Sequence, residues 1–119
     1  DKPWGHEEIW AETSRYVGKI LFIRKGHRLS LQHHEVKDET IRVGSGTLEL
    51  ELEDDGGHIV TQQLSARQSV HIRPGHRHRM RALTDVEIFE VSTPELDDVV
   101  RHSDDYGRVD GEDSEPNAG

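Results

Sequence analysis

Residues 48–53 read Leu-Glu-Leu-Glu-Leu-Glu. An alternation of period two puts Leu48, Leu50 and Leu52 on one face of an extended chain and Glu49, Glu51 and Glu53 on the other, as in a strand with one side against a core and one in water. Similar short runs recur at 16–24, 29–34, 40–43, 58–64, 69–73, 77–83 and 86–92. Between them stand Lys25-Gly26, Gly44-Ser45-Gly46, Asp54-Asp55-Gly56-Gly57 and Pro74-Gly75. Glycine there supplies the left-handed backbone of a tight turn, and proline fixes the approach to it. The pattern predicts an all-β sandwich or barrel. No apolar stripe at helical spacing competes with it. Only 94–102 offers room for a short helical or irregular segment, with Glu95, Asp97 and Asp98 suited to a first turn. The expected core is Leu21, Phe22, Ile23, Leu48, Leu50, Leu52, Val70, Ile72, Ile88 and Val91, while Trp4 and Trp10 suit either burial against the sheet or the wall of a sugar pocket.

A chain of 119 residues is one domain's worth of core. We expect that domain at 1–109. Residues 110–119, DGEDSEPNAG, hold four acids and one apolar side chain and are expected to form a disordered acidic tail. Apolar runs are too short to span a bilayer, so no membrane partner is expected. The net charge of −9 argues against a phosphate backbone as ligand, so no nucleic acid is expected either. No signal peptide is visible, which makes the cytoplasm the expected compartment. The chain contains no cysteine, which excludes thiol nucleophiles, disulfides and thiolate metal sites. Any transition metal would need imidazole, carboxylate or amide ligands, and the chain carries nine histidines.

Four residues stand out. Gln32 and His34 share strand parity, so two donor atoms leave one face of the same segment. Glu39 opens the next strand, where an antiparallel return would bring its carboxylate beside them. His78 follows the Pro74-Gly75 turn and shares its face with Met80 and Ala82, the less polar side of that strand. Two imidazoles, a carboxylate and an amide oxygen make a mixed nitrogen and oxygen set suited to one divalent ion such as Zn, Fe, Mn, Ni or Co, with positions open for water or substrate. His27, His33, His58, His71 and His102 lack such spacing and are expected at the surface; His76 suits a turn or the rim of a pocket. Arg77, Arg79 and Arg81 alternate with His78 and are expected on a solvated, salt-bridged face.

The spacing Gly26, five residues, Gln32, one residue, His34, four residues, Glu39, six residues, Gly46 resembles the first cupin motif, with Gln for its leading His. Pro74-Gly75 with His78 resembles the second. Four blocks bring the resemblance closer: Lys2-Pro3-Trp4-Gly5 with Glu8, GHRLSLQHH at 26–34, IRPGHRHR at 72–79 and DDVVRHSDDYGR at 97–108. Together they resemble the C-terminal cupin domain of type II phosphomannose isomerases, the mannose-6-phosphate isomerases. That resemblance implies an all-β cupin, a double-stranded β-helix or jelly-roll barrel with a short C-terminal helical or irregular segment. It also implies a metal held by Gln32, His34, Glu39 and His78. The implied reaction interconverts an aldose and a ketose sugar phosphate through a metal-stabilised enediolate while a base moves one proton. Lys19, Arg28, Arg101 and Arg108 fall on basic positions of the matching blocks and are candidates for holding phosphate. Glu8, Glu39 and Tyr106 are the candidates for proton transfer. A homodimer is implied as well. The sequence departs from the pattern at Thr40-Ile41, where the family has His-Trp, and at Lys25, where it has proline. An iron-dependent oxygenase and a non-catalytic metal- or sugar-binding cupin are the alternatives.

Overall fold

The computed structural model describes residues 2–108; the expected tail at 110–119 lies outside them, as do residues 1 and 109. Ten strands follow one another: β1 (Gly5–Glu12), β2 (Val17–Ile23), β3 (Leu31–His33), β4 (Glu39–Ser45), β5 (Leu48–Glu53), β6 (Ile59–Leu64), β7 (Ser69–Ile72), β8 (His78–Ala82), β9 (Val86–Ser92) and β10 (Val100–Ser103). They form two antiparallel sheets of five, in the orders β1-β2-β9-β4-β7 and β10-β3-β8-β5-β6. Neighbours in each sheet are mostly distant in sequence, so the chain passes repeatedly between sheets. No helix occurs among the described residues, and none is long and apolar enough to cross a membrane.

Segment 94–102 is irregular and then extended, not helical. Its turns are short, Leu96 N–H donating to Pro94 O and Val99 N–H to Asp97 O, before β10 joins the edge of β3. β-branched Val99 and Val100 favour the strand, and the Asp98 carboxylate serves backbone of another loop instead of capping a helix of its own.

Alternation explains the core. Leu48 and Leu50 are fully buried opposite Ile41, Val43, Ile72 and Ile88 of the other sheet. Two expected core residues face outward. Phe22 lies between inward Leu21 and Ile23 and stacks on His6 at 4.5 Å between ring centroids; Val91, between buried Glu90 and Ser92, is 52% exposed. Trp4 is buried, whereas Trp10 is exposed on the outer face. Arg79 departs from its neighbours: Arg77 and Arg81 pair with Glu53 and Glu49 as expected, but Arg79 is buried, donating from Nε to Leu29 O at 3.0 Å and from Nη2 to Ser103 O at 3.0 Å. The edge strand and the approach to β3 cover it.

The interior changes character along its length. Inward positions run Ile23, Leu21, Lys19 on β2; Val43, Ile41, Glu39 on β4; Val86, Ile88, Glu90 on β9; and Ala82, Met80, His78 on β8, all buried. Pairing brings the polar ends together, Lys19 opposite Glu90 and Gln32 opposite His78. One end of the barrel is therefore an apolar core and the other a polar cavity.

Candidate metal centre

His34 follows the last residue of β3, Glu39 opens β4 and His78 opens β8. Gly75, at φ 84°, makes the turn before β8 and donates its N–H to His34 O at 2.7 Å, tying the two histidine-bearing segments together. Glu39 Oε2 lies 3.5 Å from His34 Nε2 and 3.3 Å from His78 Nε2, and all three residues are buried. His34 Nδ1 donates to Asp98 O at 2.6 Å and His78 Nδ1 to His76 O at 3.0 Å. A carbonyl can only accept, so each neutral ring carries its proton on Nδ1 and turns a lone pair on Nε2 toward the centre. Both Nε2 atoms are buried without a hydrogen-bond partner.

Two imidazole lone pairs aimed at one carboxylate oxygen repel unless a cation sits between them. The three donor atoms lie within 4.8 Å of one another, close enough to share an ion. Backbone carbonyls behind the two imidazoles are the outer partners that metal-binding histidines ordinarily have. His34, Glu39 and His78 are thus a group that can hold a metal ion. Gln32 lines the same cavity, its Oε1 accepting from Ser30 Oγ at 2.6 Å and keeping a second lone pair.

Behind the histidines lies a second layer of charge. Lys37 Nζ lies 3.3 Å from Glu39 Oε1 and 3.2 Å from Glu90 Oε2, with all three side chains buried. Glu39 is thereby divided, one oxygen toward the imidazoles and the other toward the ammonium. Burial opposes the charge on Glu39, and the Lys37 ammonium beside its Oε1 favours it. Burial also opposes the charge on Lys37, yet Glu90 and Glu39 raise its pKa above the ordinary value. Glu90 is pushed up to about 7, first by burial and then by the charge of Glu39. The loop carrying Lys37 is fastened by Asp98, which accepts from the N–H groups of Glu35 at 3.0 Å, Val36 at 2.7 Å and Lys37 at 2.8 Å.

The cavity has a volume of about 130 Å³ and includes Trp4, Glu7, Lys19, Arg101 and Arg108 in its wall. Lys19 Nζ is 3.5 Å from Glu7 Oε1. Arg108 donates through Nε and Nη2 to Asp104 at 2.9 and 3.1 Å. Three residues singled out in the sequence lie elsewhere. Glu8 pairs with Ile20 and is exposed on the outer face; Glu7, paired with core residue Leu21, faces the cavity in its place. Arg28 forms a forked ion pair with Asp105 at 2.7 and 2.9 Å on the surface. Tyr106 packs partly against the core, with its hydroxyl 2.8 Å from His27 Nδ1 and its ring behind the guanidinium of Arg108 instead of in the cavity wall itself.

The family model for the C-terminal region of mannose-6-phosphate isomerase matches residues 1–104. The chain belongs to this family. Among curated relatives, mannose-1-phosphate guanylyltransferase of Escherichia coli K12 is 31% identical over 113 residues, which is 91% of this chain and 23% of that protein. The chain thus spans less than a quarter of the relative's length. KdgF from Halomonas sp. superposes with a TM-score of 0.71 at 24% identity, covering 81% of this chain and 84% of that one. An RmlC-like cupin from Shewanella frigidimarina does so with 0.66 at 15%, covering 76% and 77%. At such identities these structures speak to fold, and the fold is that of a cupin. Within this member of the family, the polar end of the barrel is where the candidate centre lies.

Proposed function

We propose that this chain is a metal-dependent isomerase of a sugar phosphate, interconverting aldose and ketose, with Gln32, His34, Glu39 and His78 as the ligands of one divalent ion. The observation that carries the reading is the convergence of two unpartnered imidazole Nε2 atoms on Glu39 Oε2 beside a cavity walled by cations. Family membership over residues 1–104 supports the substrate class. A bound divalent ion would supply positive charge for the vicinal sugar oxygens as a proton leaves the carbon beside them. Lys19, Arg101 and Arg108 hold the phosphate in this reading. Asp98 and Gly75 position His34, while Lys37 keeps one oxygen of Glu39 turned to the imidazoles. Proton transfer falls to Glu7 or Glu90, carboxylates of the cavity wall outside the ligand set, and no longer to Glu8 or Tyr106.

The test is incubation of the protein with Mn(II), Co(II) or Zn(II) and mannose 6-phosphate in D₂O, followed by NMR. Appearance of fructose 6-phosphate with deuterium at C1 supports the proposal, since a proton shuttled by a side chain from C2 to C1 exchanges with solvent. Saturable sugar binding without conversion would identify a binder, and oxygen uptake with Fe(II) an oxygenase; either overturns it.

A homodimer belongs to the same proposal. Trp10, Phe89 and Val91 are exposed on the outer face of the first sheet, with Arg42 beside Phe89 and Glu87 beside Phe22. A two-fold copy can set arginine against glutamate around the apolar strip. Sedimentation velocity should give a dimer, and a monomer for Val91→Lys.

A further inference from the structure

The outer edge of the second sheet carries a histidine pair that the interior site does not use. His33 on β3 and His102 on β10 point away from the cavity, whereas their neighbours Gln32 and Arg101 line it. The β10–β3 register slips between Arg101 and Ser103, and at this irregularity the two rings meet, 5.0 Å between centroids and inclined by 29°. His33 Nδ1 lies 2.8 Å from His102 Nε2. On the far side of the His33 ring, Nε2 is 3.3 Å from Glu35 Oε1. A carboxylate there favours the proton on Nε2, which leaves the Nδ1 lone pair facing His102.

We propose that His33 and His102 form a second, external metal site, selective for ions that accept two nitrogens at right angles, Cu(II) and Ni(II), with Glu35 orienting the His33 ring. The spacing decides the class. With metal–nitrogen bonds of about 2.1 Å, two ligands at right angles sit about 3.0 Å apart, against about 3.4 Å for a tetrahedral pair. The observed 2.8 Å needs only a small opening for the first arrangement and a much larger one for the second. His102 is exposed, so the remaining positions are open to water. The site shares no ligand with His34, Glu39 and His78. An ion there would also clamp edge strand β10, which pairs only with β3 and carries Arg101 of the cavity wall.

The experiment is a Cu(II) titration followed by EPR and by tryptophan quenching, on the wild type, His102→Gln and Glu35→Gln. The wild type should take up two equivalents at micromolar concentration. His102→Gln should lose one of them, and Glu35→Gln should bind it at least about tenfold more weakly, the usual effect of removing an outer partner. In His34→Ala/His78→Ala the external equivalent should remain, with nitrogen hyperfine structure from two imidazoles, and Ni(II) should raise Tm only while His102 is present. Unchanged stoichiometry in His102→Gln, or a spectrum showing a single nitrogen, would overturn the proposal. Failure of the isomerase assay would leave this site untouched.

Discussion

Glu90 offers a direct measure of what the polar end costs the fold. Its carboxyl is pushed up from 4.5 to about 7 by burial and by the neighbouring charge of Glu39. In an unfolded chain the same group ionises near its ordinary value. Below that value both states are protonated and Glu90 is neutral in the balance. As pH rises toward 7 the unfolded state gives up its proton first, so stability falls through this window and levels off above it. A displacement of about 2.5 units corresponds to ~3 kcal/mol at about 1.4 kcal/mol per unit. Glu90→Gln keeps the shape and removes the titration. Urea unfolding of the metal-free protein at intervals from pH 5 to pH 8 should show the variant gaining on the wild type by most of that amount. Glu39, Lys37 and the histidines are common to both chains, so the difference curve isolates position 90. Parallel curves across the window would refute the reasoning. A divalent ion at Glu39 would remove the second cause of the shift, so metal binding near pH 6.5 should release an extra proton from the wild type that Glu90→Gln does not release.

Lys37→Met leaves Glu39 and Glu90 buried without their shared cation, and we expect a loss of about 3–5 kcal/mol near pH 8 by urea unfolding, the scale of breaking a buried ion pair from one side. Asp98→Ala removes the acceptor of three backbone N–H groups while the Asp98 carbonyl behind His34 remains; Co(II) affinity followed by absorbance should fall about 10- to 100-fold, as for other outer partners, with partial recovery in Asp98→Asn. His34→Ala/His78→Ala should abolish retention of the interior ion when protein purified without chelator is examined by elemental analysis, and unchanged Zn, Mn, Fe, Ni or Co content would dismiss these ligands.

Period two made most of the architecture legible. Leu48, Leu50 and Leu52 announce their strand, and the same parity turns His78 inward with Met80 and Ala82. Parity also separates His33 from Gln32 and His34. It fails where a strand lacks apolar alternation: in β1 the run His6-Glu7-Glu8 does not say which glutamate faces inward, and only the pairing of Glu7 with Leu21 decides. Glu90 was within reach, since it continues the inward series of Val86 and Ile88, but its acidic character argues for solvent unless the polar end is known. Lys37 and Asp98 lie in loops without period, and their roles arise from contacts across 61 residues of sequence. Arg79 departs from the alternation for a similar reason: the carbonyls of Leu29 and Ser103 that accept from it belong to segments no local pattern brings near.

Stability alone does not account for the polar end of this barrel. Four strands carry apolar inward residues for most of their length and then, at one level, present Lys19, Glu39, Glu90 and His78 to the interior. Apolar side chains of similar volume there would extend the core at lower desolvation cost. The arrangement is also not the lowest-energy way to bury charge. Lys37 is shared by two carboxylates, which pushes Glu90 toward the neutral form, and two imidazole lone pairs face the remaining oxygen of Glu39. A set optimised for folding would turn at least one imidazole so that its N–H reached that oxygen. Here the Asp98 and His76 carbonyls hold both rings in the opposite sense. The conflict disappears when a cation occupies the point on which the three donors converge. A cation bound there would draw part of its affinity from relieving that conflict.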